Sequence, residues 1–384
     1  MNTEKTGTEE KKVPETGTLE EKSPKMTKRI VKHLISAALM IGVLIAVMLE
    51  VLTLTEYLPE EREEVATNNI GWEAVSPGDS LKVLTWNAGY GALGDNADFF
   101  MDGGRKVETA DKERVGINLA GIAEATAKLD PDVVFFQEID RDASRSHHID
   151  EMIELVNSFG EDDDPDYTSA FAYNMKVFFI PYPIPPIGMV QSGIMTLTRM
   201  RMASAERISL PCPFKWPVRL ANFKRCLLVE RLPVQKSDKE LVLINLHLEA
   251  YDDGEGKQEQ TQALMKILEE EASKGNYVIA AGDFNQTFSN TDISAYPLQE
   301  GKWAPGVFST EETGKEWLCL MDSSTPTCRS LDQPYEGADH SSFQYYVVDG
   351  YILSPNIEVR SCETQDLGFV YTDHNPVLLE CVLK

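Results

Sequence analysis

The six cysteines of this 384-residue chain, Cys212, Cys226, Cys319, Cys328, Cys362 and Cys381, include no C-x-x-C pair, which removes the usual thiolate cradle for structural zinc. Scattered buried thiols are the ordinary outcome of such spacing; in an oxidising compartment, Cys319/Cys328 and Cys212/Cys226 are the shortest pairings. Basic residues are also scarce, with 36 Lys and Arg against 62 Asp and Glu and a net charge of −26. Residues 1 to 56 hold eight of each sign, so the whole deficit falls on the remainder. So acidic a surface repels long polyanions unless a local basic groove or a metal compensates, which counts against tight DNA binding. No internal repeat is present, which excludes a solenoid. A hydrophobic fraction of 42% excludes a chain disordered throughout and suits one large or two ordinary folded domains.

Charge is absent from one stretch altogether. Leu34 to Leu49 is uncharged and apolar, and Val51 to Thr55 extends the run past Glu50 to roughly the 20 residues that a bilayer core requires. No clear small-x-small cleavage site follows, which favours an uncleaved span over a signal peptide. Residues 1–29 are dominated by Lys, Glu, Thr, Gly and Pro, which bury too little apolar surface to offset the entropy of ordering. Lys25, Lys28, Arg29 and Lys32 precede the span, whereas Glu56, Glu60, Glu61, Glu63 and Glu64 follow it, a bias that places the N-terminus in the cytoplasm. The expected organisation is a disordered cytoplasmic tail over 1–29, a transmembrane anchor over 30–55, an acidic linker over 56–80 and a folded domain over 81–384, outside the cell membrane.

From Leu81 onward apolar runs alternate with helical patterns. LKVLTW (Leu81 to Trp86), VVFFQ (Val133 to Gln137), GIMTLT (Gly193 to Thr198), CLLVERL (Cys226 to Leu232), LVLINLHL (Leu241 to Leu248), YVIAAGDF (Tyr277 to Phe284), YYVVDGYIL (Tyr345 to Leu353) and VLLECVL (Val377 to Leu383) read as strands. Eight or more strands require two packed sheets or a closed one. Helical spacing appears in Ile117, Ile122, Ala125 and Leu129, ended by Asp130-Pro131, and in Leu264, Ile267 and Leu268, ended by Gly275. Phe171 to Gly188 is apolar, aromatic and proline-rich; it reads as a structured loop, whose Phe178, Phe179, Tyr182 and Ile184 pack internally or dip into lipid.

Polar residues recur at the ends of these strands, where a rigid scaffold aims side chains into a common cleft: Asn87, Glu138, His247, Asp283 with Asn285, Asp349, and Asp373 with His374. Hard divalent cations take oxygen ligands, so Asn87, Glu138 and Asp373 suit magnesium or manganese better than zinc. Asp283 and Asn285, two apart at a strand end, are expected side by side, able to hold a water and a phosphoryl oxygen. His374 can polarise or donate a proton with Asp349 orienting its ring, and His247 is a second cation or proton donor.

The stretches TWNAGYG (Thr85 to Gly91), QEID (Gln137 to Asp140), NLHLEA (Asn245 to Ala250), AGDFN (Ala281 to Asn285), VDGYILSP (Val348 to Pro355) and TDHNPV (Thr372 to Val377) resemble, in order and spacing, the endonuclease/exonuclease/phosphatase superfamily. The resemblance covers residues 81 to 384. It implies an α+β, four-layer sandwich of two packed mixed sheets flanked by helices, here preceded by one transmembrane helix. It implies metal-dependent hydrolysis of a phosphodiester in nucleic acid or a phospholipid headgroup. By the same resemblance, Glu138 is the main ligand of Mg2+ or Mn2+ with Asn87 and Asp373 in its shell. Asp283 positions or activates water, Asn285 binds phosphate, His374 contacts the phosphoryl group or acts as base with Asp349 behind it, and His247 matches the second histidine of the deoxyribonuclease and sphingomyelinase branches. One departure is visible: relatives carry an Arg shortly before the helix that follows the His motif, where this chain has Lys257-Gln258-Glu259-Gln260.

A histidine in a strand is ordinarily a packed core residue, and surface arginines such as Arg141 and Arg145 are ordinarily solvated; His247 rises above that expectation because five other motifs accompany it. The contrasting expectation is a catalytically silent relative serving as a surface interaction domain, and loss of Glu138, Asp283 or His374 would have favoured it. The flanking charges make a direct prediction about topology. Protease added to intact cells is expected to remove the domain, read as loss of the full-length band, and cleavage only after lysis would reverse the orientation.

Overall fold

The strands are legible because alternate side chains serve two different cores. The computed structural model describes residues 24–384 apart from 69–73, 162, 163, 166, 253, 312 and 315. In Ser80–Asn87, Leu81 and Val83 face one core while Leu84 and Trp86 face another. The same division runs through Val133–Ala143, where Val133 and Phe135 oppose Val134 and Phe136, and through Glu240–His247, where Leu241 and Leu243 oppose Val242 and Ile244. A period of two is what a pleated strand buried on both faces requires.

Two mixed sheets result. One has seven strands in the order Arg62–Glu64, Ser204–Ser209, Cys226–Pro233, Glu240–His247, Tyr277–Asp283, Asp349–Leu353 and Leu318–Leu320. The other has six, in the order Ile357–Thr364, Val377–Leu383, Ser80–Asn87, Val133–Ala143, Gly188–Thr198 and Thr168–Ile180. Each contains one parallel pair at its centre, Glu240–His247 with Tyr277–Asp283 and Ser80–Asn87 with Val133–Ala143, and the remaining pairs are antiparallel. The sheets pack face to face through the inner core. Helix α2 (Lys112–Leu129) and helix α3 (Glu151–Ser158) cover the outer face of the six-stranded sheet with Val115, Leu119, Ile122 and Leu155. Helix α4 (Glu255–Ser273) covers the seven-stranded sheet with Leu264, Ile267 and Leu268. Each fully buried aliphatic side chain contributes roughly 1.5–3 kcal/mol by leaving water.

Helix ends follow local chemistry. The Asp111 side chain accepts from Arg114 N and caps α2, and Asp130 ends it in the left-handed region at φ +50°. Before the sandwich in the chain comes a long helix, α1 (Pro24–Leu54), whose segment Lys28–Leu54 contains an 18-residue window of mean hydropathy 2.5 and is apolar and long enough to cross a membrane. The helix begins before the expected boundary at residue 30, and the rest of the expected tail, 1–23, lies outside the described residues.

Several sequence expectations change. Residues 56–80 are no free linker, because Arg62–Glu64 pairs as an edge strand with Ser204–Ser209 and Val75 enters the inner core. Thr168–Ile180 is an edge strand, not a loop: the prolines that argued against a strand all fall after it, in the turn. Internal packing is not the fate of that turn, since Tyr182 is 72% and Ile184 95% exposed. Ile117 faces outward on α2, the reverse of its expected role. All six cysteines are free thiols.

One inner-core residue is polar at a cost. Glu230 shares a face with Leu228 and Leu232 and is fully buried, with neither carboxyl oxygen in a well-formed hydrogen bond and the Thr196 side chain as its polar neighbour. Burial pushes its carboxyl well above the usual glutamate range, so it stays protonated. A raised carboxyl contributes stability that is present below the unfolded value near 4.5 and is lost as pH rises through the folded value. Glu230→Met, of similar volume, is therefore expected to raise Tm more at about pH 8 than at about pH 5. An equal shift at both pH values, or destabilisation, would show that the carboxyl has a compensating partner.

Candidate active site

The inner faces of both sheets turn polar at one end. His247 and Asp283 are register partners across the parallel pair, and Asp283 and Asp349 are register partners across the next, so three adjacent strands place His247, Asp283 and Asp349 in one row. Asn87 ends the inner face of Ser80–Asn87 in the opposing sheet. Its Nδ2 donates to Asp283 Oδ2 at 3.1 Å and to Glu138 Oε1 at 3.4 Å, which joins the two sheets across the cleft. Behind this contact, Gln137 Nε2 donates to Asn245 Oδ1 at 2.9 Å, and Asn245 Nδ2 donates to Met195 O at 2.9 Å.

Glu138 reaches the cleft only through a bulge. Simple alternation would send it outward with Phe136, but the register shifts between Phe136 and Ile139 and Glu138 takes φ +54°. That left-handed backbone is costly for a non-glycine residue and persists where the surrounding structure imposes it. Asn285 is similar, at φ +50°. The strand has ended at Asp283, so Asn285 is placed not by strand alternation as expected but by a bend in which Asp283 Oδ1 accepts from Asn285 N at 2.8 Å while Asn285 Nδ2 donates to Leu248 O at 2.9 Å.

The electrostatics are those of a buried acidic cluster. Burial, then Asp349, raises Asp283 to about 7. Burial, then Asp373, raises Glu138, and burial raises Asp373. Burial also pushes His247 well below the usual histidine value, with Arg225 and His374 adding to the effect, and its Nε2 lies 3.4 Å from Asp283 Oδ2. His374 behaves oppositely: burial opposes its charge, but the carboxylate of Asp349, with Oδ2 2.9 Å from Nδ1, pushes it above the usual histidine value. Asp349 Oδ1 is buried with no partner.

All eight residues singled out in the sequence, Asn87, Glu138, His247, Asp283, Asn285, Asp349, Asp373 and His374, thus gather at one end of the sandwich. A divalent cation fits the cluster, because oxygen donors dominate and the carboxylates repel one another without one. Two tight groups of potential ligands occur among the described residues, Asp283/Asp349/His374 and Cys328/Asp373/His374, and Glu138 belongs to neither. Burial raises the Cys328 thiol to about 12. Asn87 presents its amide N–H2 to the carboxylates while Oδ1 accepts from Gly89 N at 3.0 Å, so ligation through oxygen requires a half-turn of the amide.

The cleft around these groups has a volume of about 240 Å³ and is rimmed by Phe99, Met101, Phe223, Tyr251, Trp303 and Tyr346. Arg145, Arg225 and Arg329 also line it. Sequence reasoning set Arg145 aside as solvated and did not consider the other two. Lone arginines far apart in the chain carry no spacing signal, and only the fold brings them together. At the departure noted in α4, Gln260 Oε1 accepts from Glu249 N and its Nε2 donates to Pro211 O, both at 2.9 Å, so a glutamine ties the helix to the loop after His247.

Comparison with known proteins follows this geometry. The model of the Endonuclease/Exonuclease/phosphatase family matches residues 84–322. No curated protein matches the sequence. Among solved structures, an endonuclease/exonuclease/phosphatase from Beutenbergia cavernae DSM 12333 is similar with a TM-score of 0.50 at 17% identity, covering 79% of this chain and 72% of that one. A family protein from Leptotrichia buccalis C-1013-b is similar with a TM-score of 0.51 at 13% identity, covering 78% of this chain and 99% of that one. At such identities the likeness concerns the fold.

Metal binding and ionisation are coupled in this cluster. Burial raises the carboxyls of Glu138 and Asp373, so the stability their protonated forms contribute at low pH is lost as pH rises through their folded values, where the carboxylates become free to bind a cation. Saturating Mg2+ is expected to raise Tm more at about pH 8 than at about pH 5.5. An equal rise at both, or none, would remove the cation from this cluster.

Proposed function

The chain belongs to the endonuclease/exonuclease/phosphatase family, and from that membership we propose that it is a membrane-anchored, divalent-metal-dependent phosphodiester hydrolase. The observation that carries the proposal is the row His247, Asp283 and Asp349 facing Asn87 and Glu138 across one cleft, with His374 seated on Asp349. Glu138, Asp373 and Asn87 are the proposed holders of Mg2+ or Mn2+. The ion's part is to offset the negative charge that develops on the phosphoryl group.

The chain's own residues supply the rest. Asp283, a buried carboxylate at the end of its strand, accepts a proton from the attacking water. Asn285 and a positively charged His374 stabilise the phosphoryl oxygens, and Asp349 fixes the His374 ring by accepting from Nδ1. His247, held neutral by burial, orients Asp283 from the opposite side. The cleft's modest volume, its aromatic rim and the net charge of −26 favour a short or lipid-borne phosphoester over a long duplex, so a phospholipid headgroup or a nucleic-acid end is the proposed substrate. The apolar helix Lys28–Leu54 supports a single membrane span with the domain outside. A silent interaction domain would have lost part of this constellation, and no member of it is missing.

Two variants separate binding from turnover. Glu138→Gln keeps the side-chain shape and removes the charge that holds the ion, so turnover of bis(p-nitrophenyl) phosphate is expected to vanish and Mg2+ affinity by calorimetry to fall. His374→Ala is expected to lose turnover while keeping Mg2+ affinity. Parent-like metal affinity and turnover in Glu138→Gln, or full parent activity in excess chelator, would defeat the assignment.

A further inference from the structure

Exposed aromatic side chains are few in the folded domain, and they are not scattered. Among the described residues they are Phe178, Phe179, Tyr182, Trp216 and Tyr251, and all but Tyr251 lie on two neighbouring segments. The first three belong to the end of Thr168–Ile180 and the turn that follows, where Ile184 is also exposed. Trp216 and the exposed Val218 lie on the segment before Cys226–Pro233, held to the same edge strand by the bond from Lys224 N to Asn174 O at 2.6 Å. Single exposed apolar residues need no explanation, whereas a group on neighbouring segments does.

The chain itself carries the partner to this surface. The apolar segment Lys28–Leu54 ends beside it: Thr53 Oγ1 accepts from Trp216 Nε1 at 3.1 Å. Four residues on, the Tyr57 ring lies 6.5 Å from that of Tyr173 and 5.5 Å from Lys176 Nζ, two residues before Phe178. Thr53 and Tyr57 belong to the compact unit Leu52–Lys384, so a bilayer crossed by the preceding residues has its surface within a few residues of Trp216 and Phe178. Glu56, the first acid after the span, is 3% exposed and paired with Arg219 Nε at 3.2 Å and Lys224 Nζ at 3.1 Å, which removes a charge that would oppose contact with lipid.

The turn is chemically suited to that contact. Pro181, Pro183, Pro185 and Pro186 lack an N–H, so few backbone donors lose hydration when residues 181–187 enter the headgroup region. Val190 is the register partner of both Ala143 and Val177, so Phe178 and the turn lie past the cleft-side end of the strand that carries Glu138.

We propose that Phe178, Phe179, Tyr182 and Ile184, together with Trp216, dock on the bilayer leaflet from which the chain emerges and hold the cleft end of the sandwich against it. The inference rests on the single-span reading above and adds a second contact to it. Rings with an apolar body and a polar tip favour this depth. Apolar burial drives the contact, and the net charge of −26 makes a zwitterionic leaflet the fitting partner.

The test places Ile184→Trp in the full chain, reconstituted in phosphatidylcholine vesicles brominated on the acyl chain either near the headgroup or near the methyl end. The emission added over the parent is expected to be largely lost to the shallow bromines and less to the deep ones, since interfacial groups sit roughly 5–10 Å into the headgroup and acyl boundary. Asp238→Trp, in the turn before Glu240–His247 and so at the end of that strand away from the cleft, is expected to keep its emission. Adding Phe178→Asp and Tyr182→Asp to Ile184→Trp is expected to restore the lost emission. Undiminished emission at 184 in chains that float with the vesicles overturns the docking alone, as does quenching that persists with both aspartates, which marks mere tethering. A blue shift at 184 that grows with protein density and ignores bromine gives the surface to a second copy and likewise overturns it. Chains that fail to float with the vesicles overturn the single span, and the docking with it.

Discussion

The amide bridge from Gln137 to Asn245 is the contact on which the cleft depends. Two sheets that meet only through apolar side chains can slide on one another, because dispersion and burial are non-directional. Gln137 and Asn245 sit on the inner faces at the end where both sheets become polar, and Asn245 also donates to Met195 O and Phe136 O of the opposing sheet. These directional bonds, fully buried, fix how the ends of the two sheets align. Asn87 and Glu138 from one sheet and His247, Asp283 and Asp349 from the other then face one another without further adjustment.

The same alignment concentrates charge of one sign. Burial raises the proton affinity of Glu138, Asp283 and Asp373, with Asp373 adding to it at Glu138 and Asp349 at Asp283, and the protein tolerates this because the cost falls on a small region backed by two large apolar cores. Backbone strain at Glu138 and Asn285 is stored in the same place. Stability is sacrificed where the chemistry is and recovered where the strands are ordinary, as expected of a site built at the ends of rigid elements.

Arginine placement refines this pattern. Arg145 is neutralised by Asp140 of the preceding strand, and Arg329 is absorbed by backbone carbonyls and stacked aromatics. Arg225 stands at the head of the Cys226–Pro233 strand with its charge balanced by Glu249 and its Nη1 without a hydrogen bond. A cleft in an acidic protein thus carries three buried cations within a few side chains of its carboxylates, a local reversal that net charge conceals.

Much of this was legible in the sequence. Strands buried on both faces are near-continuous apolar runs, so the central strands and helices α2 and α4 stood out, and the polar residues that interrupt those runs at one end were visible as a set. Edge strands were not: Arg62–Glu64 and Ser204–Ser209 are short and charged, and prolines beyond Ile180 obscured Thr168–Ile180. Nor does sequence report a bulge, so nothing before the structure explained how Glu138 turns inward beside Gln137. Local periodicity determined which segments form the central strands and which residues end them, because each strand's pattern depends only on its own two faces. Tertiary structure alone decided which donors remain unpaired and which carboxylates repel, because those properties belong to distances between residues far apart in the chain.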